Sequence, residues 1–240
     1  MTRHCERSVV NCAMPNVLPN NYHKPTNPLQ SRLNYTSTAI VMTNNNIEHH
    51  PLQPFTPSNA KVLLLGSFPP QQQRWSMNFF YPNFQNDMWR IMGLIFFGNR
   101  ERFVITGERR FDHQAIADFC ASEGIALFDT AQSVRRLRNN ASDNHLQVVT
   151  PTNIDHLLDK MPQCQAIATT GTKAAETVAK RYGCDKPLIA DWAILQIGHK
   201  CLKFYRLPSS SRAYPLALER KAKAYQNMFE QIGLIKPSTN

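Results

Sequence analysis

VLLLGSFPPQQQRWSMNFFYPNFQNDMWRIM, residues 62–92, decides how the rest of the chain is read. Its opening apolar run, Val62-Leu63-Leu64-Leu65, has the character of a strand buried on both faces. Gly66-Ser67-Phe68-Pro69-Pro70 must break that strand, because paired prolines continue neither a strand nor a helix. An aromatic loop follows with Trp75, Phe79, Phe80 and Tyr81 and ends in the turn Pro82-Asn83. Met88, Trp89, Ile91, Met92 and Ile95 then recur at helical spacing, which predicts a helix from near Gln85. Strand, tight turn, loop and helix in that order build a concave site at the carboxyl end of a sheet strand, where open α/β sheets bind ligands.

Outward from this stretch the pattern continues as alternating helices and strands. Asp112 is suited to cap a helix carrying Ile116, Phe119 and Cys120, with Gly124 as its stop. Ile125–Phe128 reads as a second buried strand, with Asp129 at its carboxyl end as a ligand-facing or loop-bracing group. Thr152-Asn153-Ile154-Asp155 opens a short helix through Met161. Ala166–Gly171 is a third strand that runs into a helix from Thr172 to Tyr182, closed by Gly183. Residues 188–198 have mixed character, an edge strand and turn, and Leu202–Leu207 alternates as a further strand before a long helix from about Leu216 to Ile232. Ahead of the first strand, Ile47–Pro57 is an extended lead-in from which His50 and Phe55 pack at the sheet edge.

Between the second strand and the short helix lies SVRRLRNNASDNHL, the most basic loop of the chain. Arg135, Arg136 and Arg138 there suit a phosphate clamp, since guanidinium forks match phosphate oxygens. The same residues equally suit a solvated loop with ion pairs to Asp129 and Asp143.

The chain has 240 residues, enough for one α/β domain with a tail. Residues 1–46, rich in Asn, Pro, Ser and Thr, read as disordered or as non-native sequence ahead of an internal start at Met42; residues 47–234 form the domain and 235–240 a tail. Lys and Arg number 27 against 17 Asp and Glu, a net charge of +10. That balance favours a polyanionic partner, although it also serves plain solubility. The six cysteines form no C-x-x-C pair and the eight histidines no ligand spacing, so a metal or iron–sulfur centre is not expected. With no secretory signal and no long apolar span, a cytoplasmic, non-membrane protein with free thiols is expected. Nucleotide and hydrolase strings such as G-x-G-x-x-G, Walker A and G-x-S-x-G are missing, against a small-molecule α/β enzyme of those classes.

Gly66-Ser67-x-Pro69, the aromatic loop and Pro82-x-x-x-Asn86-x-x-Trp89 resemble the first motif of the uracil-DNA glycosylase superfamily. The resemblance is closest to the hypoxanthine-DNA glycosylase branch, with its Gly-Ser-Met-Pro-Gly turn, Tyr-Tyr pair and Asn-Ala-Phe-Trp helix start. Leu207-Pro208-Ser209-Ser210-Ser211-x-Ala213 is similar to the branch's second motif, Leu-Pro-Ser-Thr-Ser-Pro-Ala. Asp129, Arg135 and Ala141-Ser142-Asp143 match a Trp-Asp-Val, basic loop and Gly-Ser-Leu-Asp stretch in part. Thr170-Gly171-x-x-Ala174 resembles a family Asn-Gly-x-x-Ala junction with Thr170 in place of the Asn. The resemblance spans roughly Val62 to Phe229.

What the resemblance implies is a three-layer α/β/α sandwich around a mostly parallel four-stranded sheet. It implies a monomeric, monofunctional DNA N-glycosylase of base excision repair that needs no cofactor and removes uracil or hypoxanthine from damaged DNA. Asn86 would position the attacking water, with neighbouring Asp87 either a carboxylate base or a helix-end residue. Gly66, Ser67, Phe68, Pro69, Phe80, Tyr81 and Thr170 would hold the base, the Ser67 and Phe68 amides reading a carbonyl oxygen. Arg135, Arg136, Arg138, Pro208, Ser209, Ser210, Ser211 and Arg212 would hold the DNA backbone. The departures are Ser67 where many members have Asp or Asn, Pro70 for Gly, Asp87 for Ala, and Leu207 where much of the superfamily has His. They leave open a second reading, a nucleic-acid-binding module that kept the fold and lost the chemistry.

Overall fold

The computed structural model describes residues 47–137 and 145–237. Residues 1–46 and Arg138 lie outside the described residues. Along the chain, β1 (Ile47–His49) and β2 (Val62–Gly66) precede the helices α1 (Met88–Phe97) and α2 (His113–Glu123). Next come β3 (Ile125–Asp129), β4 (Ala131–Arg136), β5 (Leu146–Pro151) and α3 (Ile154–Asp159). The last elements are β6 (Ala166–Thr170), α4 (Thr172–Tyr182), β7 (Asp191–Ile197), β8 (Lys200–Leu207) and α5 (Leu218–Gln231).

The main sheet runs β3-β2-β6-β8-β7. Its first four strands are parallel, in the registers Leu64↔Leu127, Leu64↔Ala168 and Ala168↔Tyr205. Every residue of β2, β3 and β6 is buried, as strands covered on both faces must be. The expected four-stranded sheet is thus extended by a fifth strand. β7 pairs antiparallel with β8, Ile197 facing Lys200 across the two-residue turn Gly198-His199. A connection that short can join only antiparallel neighbours.

The crossovers fix the layers. β2 reaches β3 through α1 and α2 by stepping one way along the sheet, whereas β3 to β6 through α3, and β6 to β8 through α4, step the other way. Right-handed crossovers in opposite directions lie on opposite faces. α5 packs on α1 and completes the α1–α2 layer.

Helix ends follow their local signals. The Asp112 carboxylate accepts from the Ala115 amide at 3.0 Å, and Gly124 ends α2 in the left-handed region. Asn153 caps α3 in the same way. α1 starts later than its spacing predicts, because residues 83–86 close a turn in which the Asn86 amide donates to the Asn83 carbonyl at 2.8 Å. Phe55 seals the outer edge of β3 through a pair of backbone hydrogen bonds with Leu127.

Ser133–Arg136, the start of the basic segment predicted as a loop, lie in a strand, and residues 138–144 are outside the described residues. β4 pairs antiparallel with β1 on one side and β5 on the other in a small second sheet. Ala131 and Val134 turn inward onto Phe68 and Leu146, a minor apolar cluster apart from the main core. Three buried positions in six, one of them the polar Ser133 with a register shift on either side, leave no apolar alternation for the sequence to display.

Candidate functional site

A cavity of about 570 Å³ opens at the carboxyl ends of β2, β3 and β6, where the parallel strands deliver their loops. The turn Gly66–Pro70 and the serine loop Ser209–Ser211 both line it, so the two motifs share one cleft. Phe80, Tyr81, Asn86, Asp129 and Thr170 complete much of its wall.

Its floor is set by Gly66. A Cβ at this position would lie 2.2 Å from Asp129 Oδ1, so only glycine lets the carboxyl group lie across the end of β2. Asp129 Oδ2 meets His50 Nε2 at 2.9 Å, and His50 Nδ1 is anchored on the Leu52 backbone. The imidazole is wedged among Phe68, Phe80 and Phe128, with ring centroids 5.4, 6.2 and 4.4 Å away, and only 2% of its side chain is exposed. His50 therefore does more than pack at the edge: it orients Asp129, leaving Oδ1 beside the cavity. Asp129 is marked in the sequence by its place at the end of a strand, but nothing there links it to His50, 79 positions away.

Tyr81 bridges the aromatic loop to the end of β6, its hydroxyl 3.0 Å from Thr170 Oγ1. Its φ of 49° is unusual for a residue with a side chain and marks a conformation imposed by the surrounding structure. Phe68 and Phe80 line the cavity but are almost wholly buried, so Tyr81 is the most accessible of the predicted aromatic group.

Asn86 is half-buried at the cavity wall, and its Oδ1 accepts from the Met88 amide at 2.9 Å, capping α1. Its backbone bridges to Ser211, while the Asp87 amide donates to the Ser210 carbonyl at 2.8 Å. These bonds zip the helix start to the serine loop. Asp87 does not line the cavity; it stands at the N-terminal end of α1, as the helix-end reading has it, but its side chain makes no capping bond. Its oxygens instead accept from Lys221 Nζ at 3.0 Å and from Arg212 Nε at 3.3 Å. Lys221, 1% exposed on α5, also donates to the Ser211 carbonyl at 2.7 Å. The result is a buried ion pair that ties α1, α5 and the serine loop together.

The serine loop has further supports. Ser209 Oγ accepts from the Ser211 amide and Ser211 Oγ from the Ala213 amide. Tyr225 donates its hydroxyl to the Pro208 carbonyl at 3.0 Å, and complete burial pushes its phenol well above the ordinary range. Leu207 is buried, so the position where the superfamily's His would stand faces the core.

The arginines divide. Arg136 grips the Glu48 carboxylate through Nε and Nη2, at 3.0 and 2.9 Å, and reaches the Pro69 carbonyl at 3.3 Å. It braces the Gly66–Pro70 turn and is not a free phosphate clamp. Arg135 bonds Gln147 across the strand pair, and neither arginine pairs with Asp129, which His50 has taken. Arg212 stays half-exposed at the rim, and Lys173 lines the cavity from the first turn of α4.

Among the described residues no group of three His, Cys, Asp or Glu side chains is placed to hold a metal, and no helix is long and apolar enough to cross a membrane. Cys120 and Cys164 are buried free thiols, the latter pushed up to about 11 by burial.

No protein-family model matches the chain, and no curated protein matches it in sequence. Among solved structures, it is similar to the solution structure of a Methanosarcina acetivorans protein described as a "putative Uracil DNA glycosylase". The TM-score is 0.50 at 18% identity, over 78% of this chain and 99% of that one. At that identity the likeness is one of fold.

Proposed function

We propose that this chain is a monofunctional DNA glycosylase of the uracil-DNA glycosylase superfamily that hydrolyses the N-glycosidic bond of uracil or hypoxanthine in DNA. The observation that carries the reading is the convergence of the Gly66–Pro70 turn, Asn86 and the Ser209–Ser211 loop on one cavity. Its volume lies in the range of small-ligand sites, as a flipped base requires. The shared fold with the Methanosarcina acetivorans protein is consistent with this reading.

In this scheme the nucleotide leaves the stack and its base enters between Tyr81 and the Gly66–Pro70 turn. Amides at Ser67 and Phe68 donate to a base carbonyl, and Asp129 Oδ1 accepts from a ring N–H. A carbonyl beside an N–H is the pattern that deamination creates in both uracil and hypoxanthine. Asn86 orients a water toward the anomeric carbon, while the DNA phosphates, to which the serine loop donates, stabilise the cationic sugar. Lys221 is held by Asp87 away from the cavity, and Lys173 at the cavity wall is the amine through which a Schiff-base step would have to run.

Buried Leu207 favours the other reading, a binding module without chemistry, because that position can send no imidazole to the base. Labelled oligonucleotides carrying uracil, hypoxanthine, xanthine or a mismatch separate the two. Scission at one lesion only after alkali supports the glycosylase; scission without alkali would replace hydrolysis by a lyase. Salt-sensitive binding with no scission supports the module, and no binding at all removes DNA as the ligand.

A further inference from the structure

Beside the main cavity lies a second, open trough of about 330 Å³ that shares Arg74, Asn83 and Gln85 with it and adds Trp75, Phe84 and Arg109. The 3₁₀ turn Gln72–Arg74 presents Trp75, whose indole Nε1 donates to the Pro70 carbonyl at 2.7 Å. The next residue is pinned as well, Ser76 donating through both its amide and its hydroxyl to the Pro82 carbonyl. The indole is therefore held partly exposed in a fixed frame.

The trough is also positively charged. Arg90, Arg110, Arg136 and Arg212 each pair with a carboxylate. Among the described residues Arg74 and Arg109, both exposed, pair with none, and no acidic side chain lines the trough. The Phe84 ring is already covered by the Arg90 guanidinium at 4.6 Å, which leaves Trp75 as the stacking surface. Two unneutralised guanidinium groups beside a fixed indole form a site for an aromatic anion, and a nucleotide is both.

We infer that the Arg74–Trp75–Arg109 trough is a second nucleotide subsite. It takes the nucleotide next to the one whose base enters the main cavity, stacking that base on Trp75 and holding its phosphates with the two arginines. The shared wall makes the two subsites continuous along one strand. This rests on the DNA reading of the main cavity for the identity of the strand, but not on its chemistry.

The test uses tryptophan emission and a lesion-free single-stranded oligonucleotide, so it does not depend on base excision. Of the three tryptophans, Trp89 is fully buried and Trp192 is 36% exposed on β7. The oligonucleotide should quench emission of the wild-type protein and of Trp192→Phe, but not of Trp75→Phe. Inorganic polyphosphate should compete for binding without quenching. Trp75→Ala should bind the oligonucleotide roughly tenfold more weakly. Arg74→Ala and Arg109→Ala, both at exposed positions, should each lower the slope of log affinity against log salt by about 0.7. Quenching that survives in Trp75→Phe, equal quenching by polyphosphate, or unchanged salt slopes in both arginine variants would overturn the subsite. An absence of excision with Trp75-dependent quenching would refute the glycosylase and leave the subsite standing.

Discussion

Gly66 and Asp129 are register partners at the ends of β2 and β3, and the missing side chain of the first makes room for the carboxyl group of the second. Gly66→Ala should therefore displace Asp129 and break its bond to His50. Overpacking of this kind costs about 1–3 kcal/mol, so the variant should fold with a lowered Tm. Base affinity should fall with it, measured as KM for the damaged oligonucleotide. A full-affinity Gly66→Ala protein would remove Asp129 from the site.

Asn86 caps α1 and, in the proposed reaction, also positions the water; substitution can separate the two. Asn86→Ala should cut excision at least ~10²-fold, the low end for a positioning or acid/base group. It also deletes the cap on the Met88 amide, at about 1 kcal/mol. Asn86→Asp keeps that acceptor and should recover the stability loss in thermal unfolding. If the activity loss in Asn86→Ala merely tracks the unfolded fraction, the residue is structural.

Lys221→Met leaves the Asp87 carboxylate buried without its closest cation, and should cost about 3–5 kcal/mol. Adding Asp87→Leu should restore part of that loss, because no uncompensated charge remains. Denaturant unfolding of the single and double variants measures the coupling. Strict additivity would mean that the two groups do not interact in solution.

Arg136→Ala should destabilise the fold by roughly 1–3 kcal/mol through loss of the Glu48 pair and the Pro69 contact. Its salt slope for DNA binding should match the wild type, since the guanidinium is already neutralised. A slope reduced by about one unit would instead return Arg136 to the phosphate interface.

Tyr225 links pH to the serine loop. Burial raises its phenol, so in the folded chain it keeps a proton that the unfolded chain releases above pH about 10. Its contribution to stability is fully present below that pH and lost as pH rises beyond it. Tyr225→Phe should flatten the alkaline fall in Tm while costing about 1 kcal/mol at neutral pH for the bond to Pro208. An unchanged alkaline profile would show that other groups govern it.

The sequence by itself determined much of the scaffold. The apolar runs at Val62, Ile125 and Ala166, the Asp112 cap, the Gly124 and Gly183 stops and the α5 pattern are local signals, and each formed the element it announced. It also marked the two motif loops that meet at the cavity. Only the tertiary structure decided which polar groups met. It placed Arg135 and Arg136 in β4 and gave Arg136 to Glu48, 88 residues away. It joined His50 to Asp129 and Lys221 to Asp87 across 79 and 134 positions. Periodicity and capping are read within a few turns of chain, whereas a charge is satisfied by whichever partner the folded topology brings within reach.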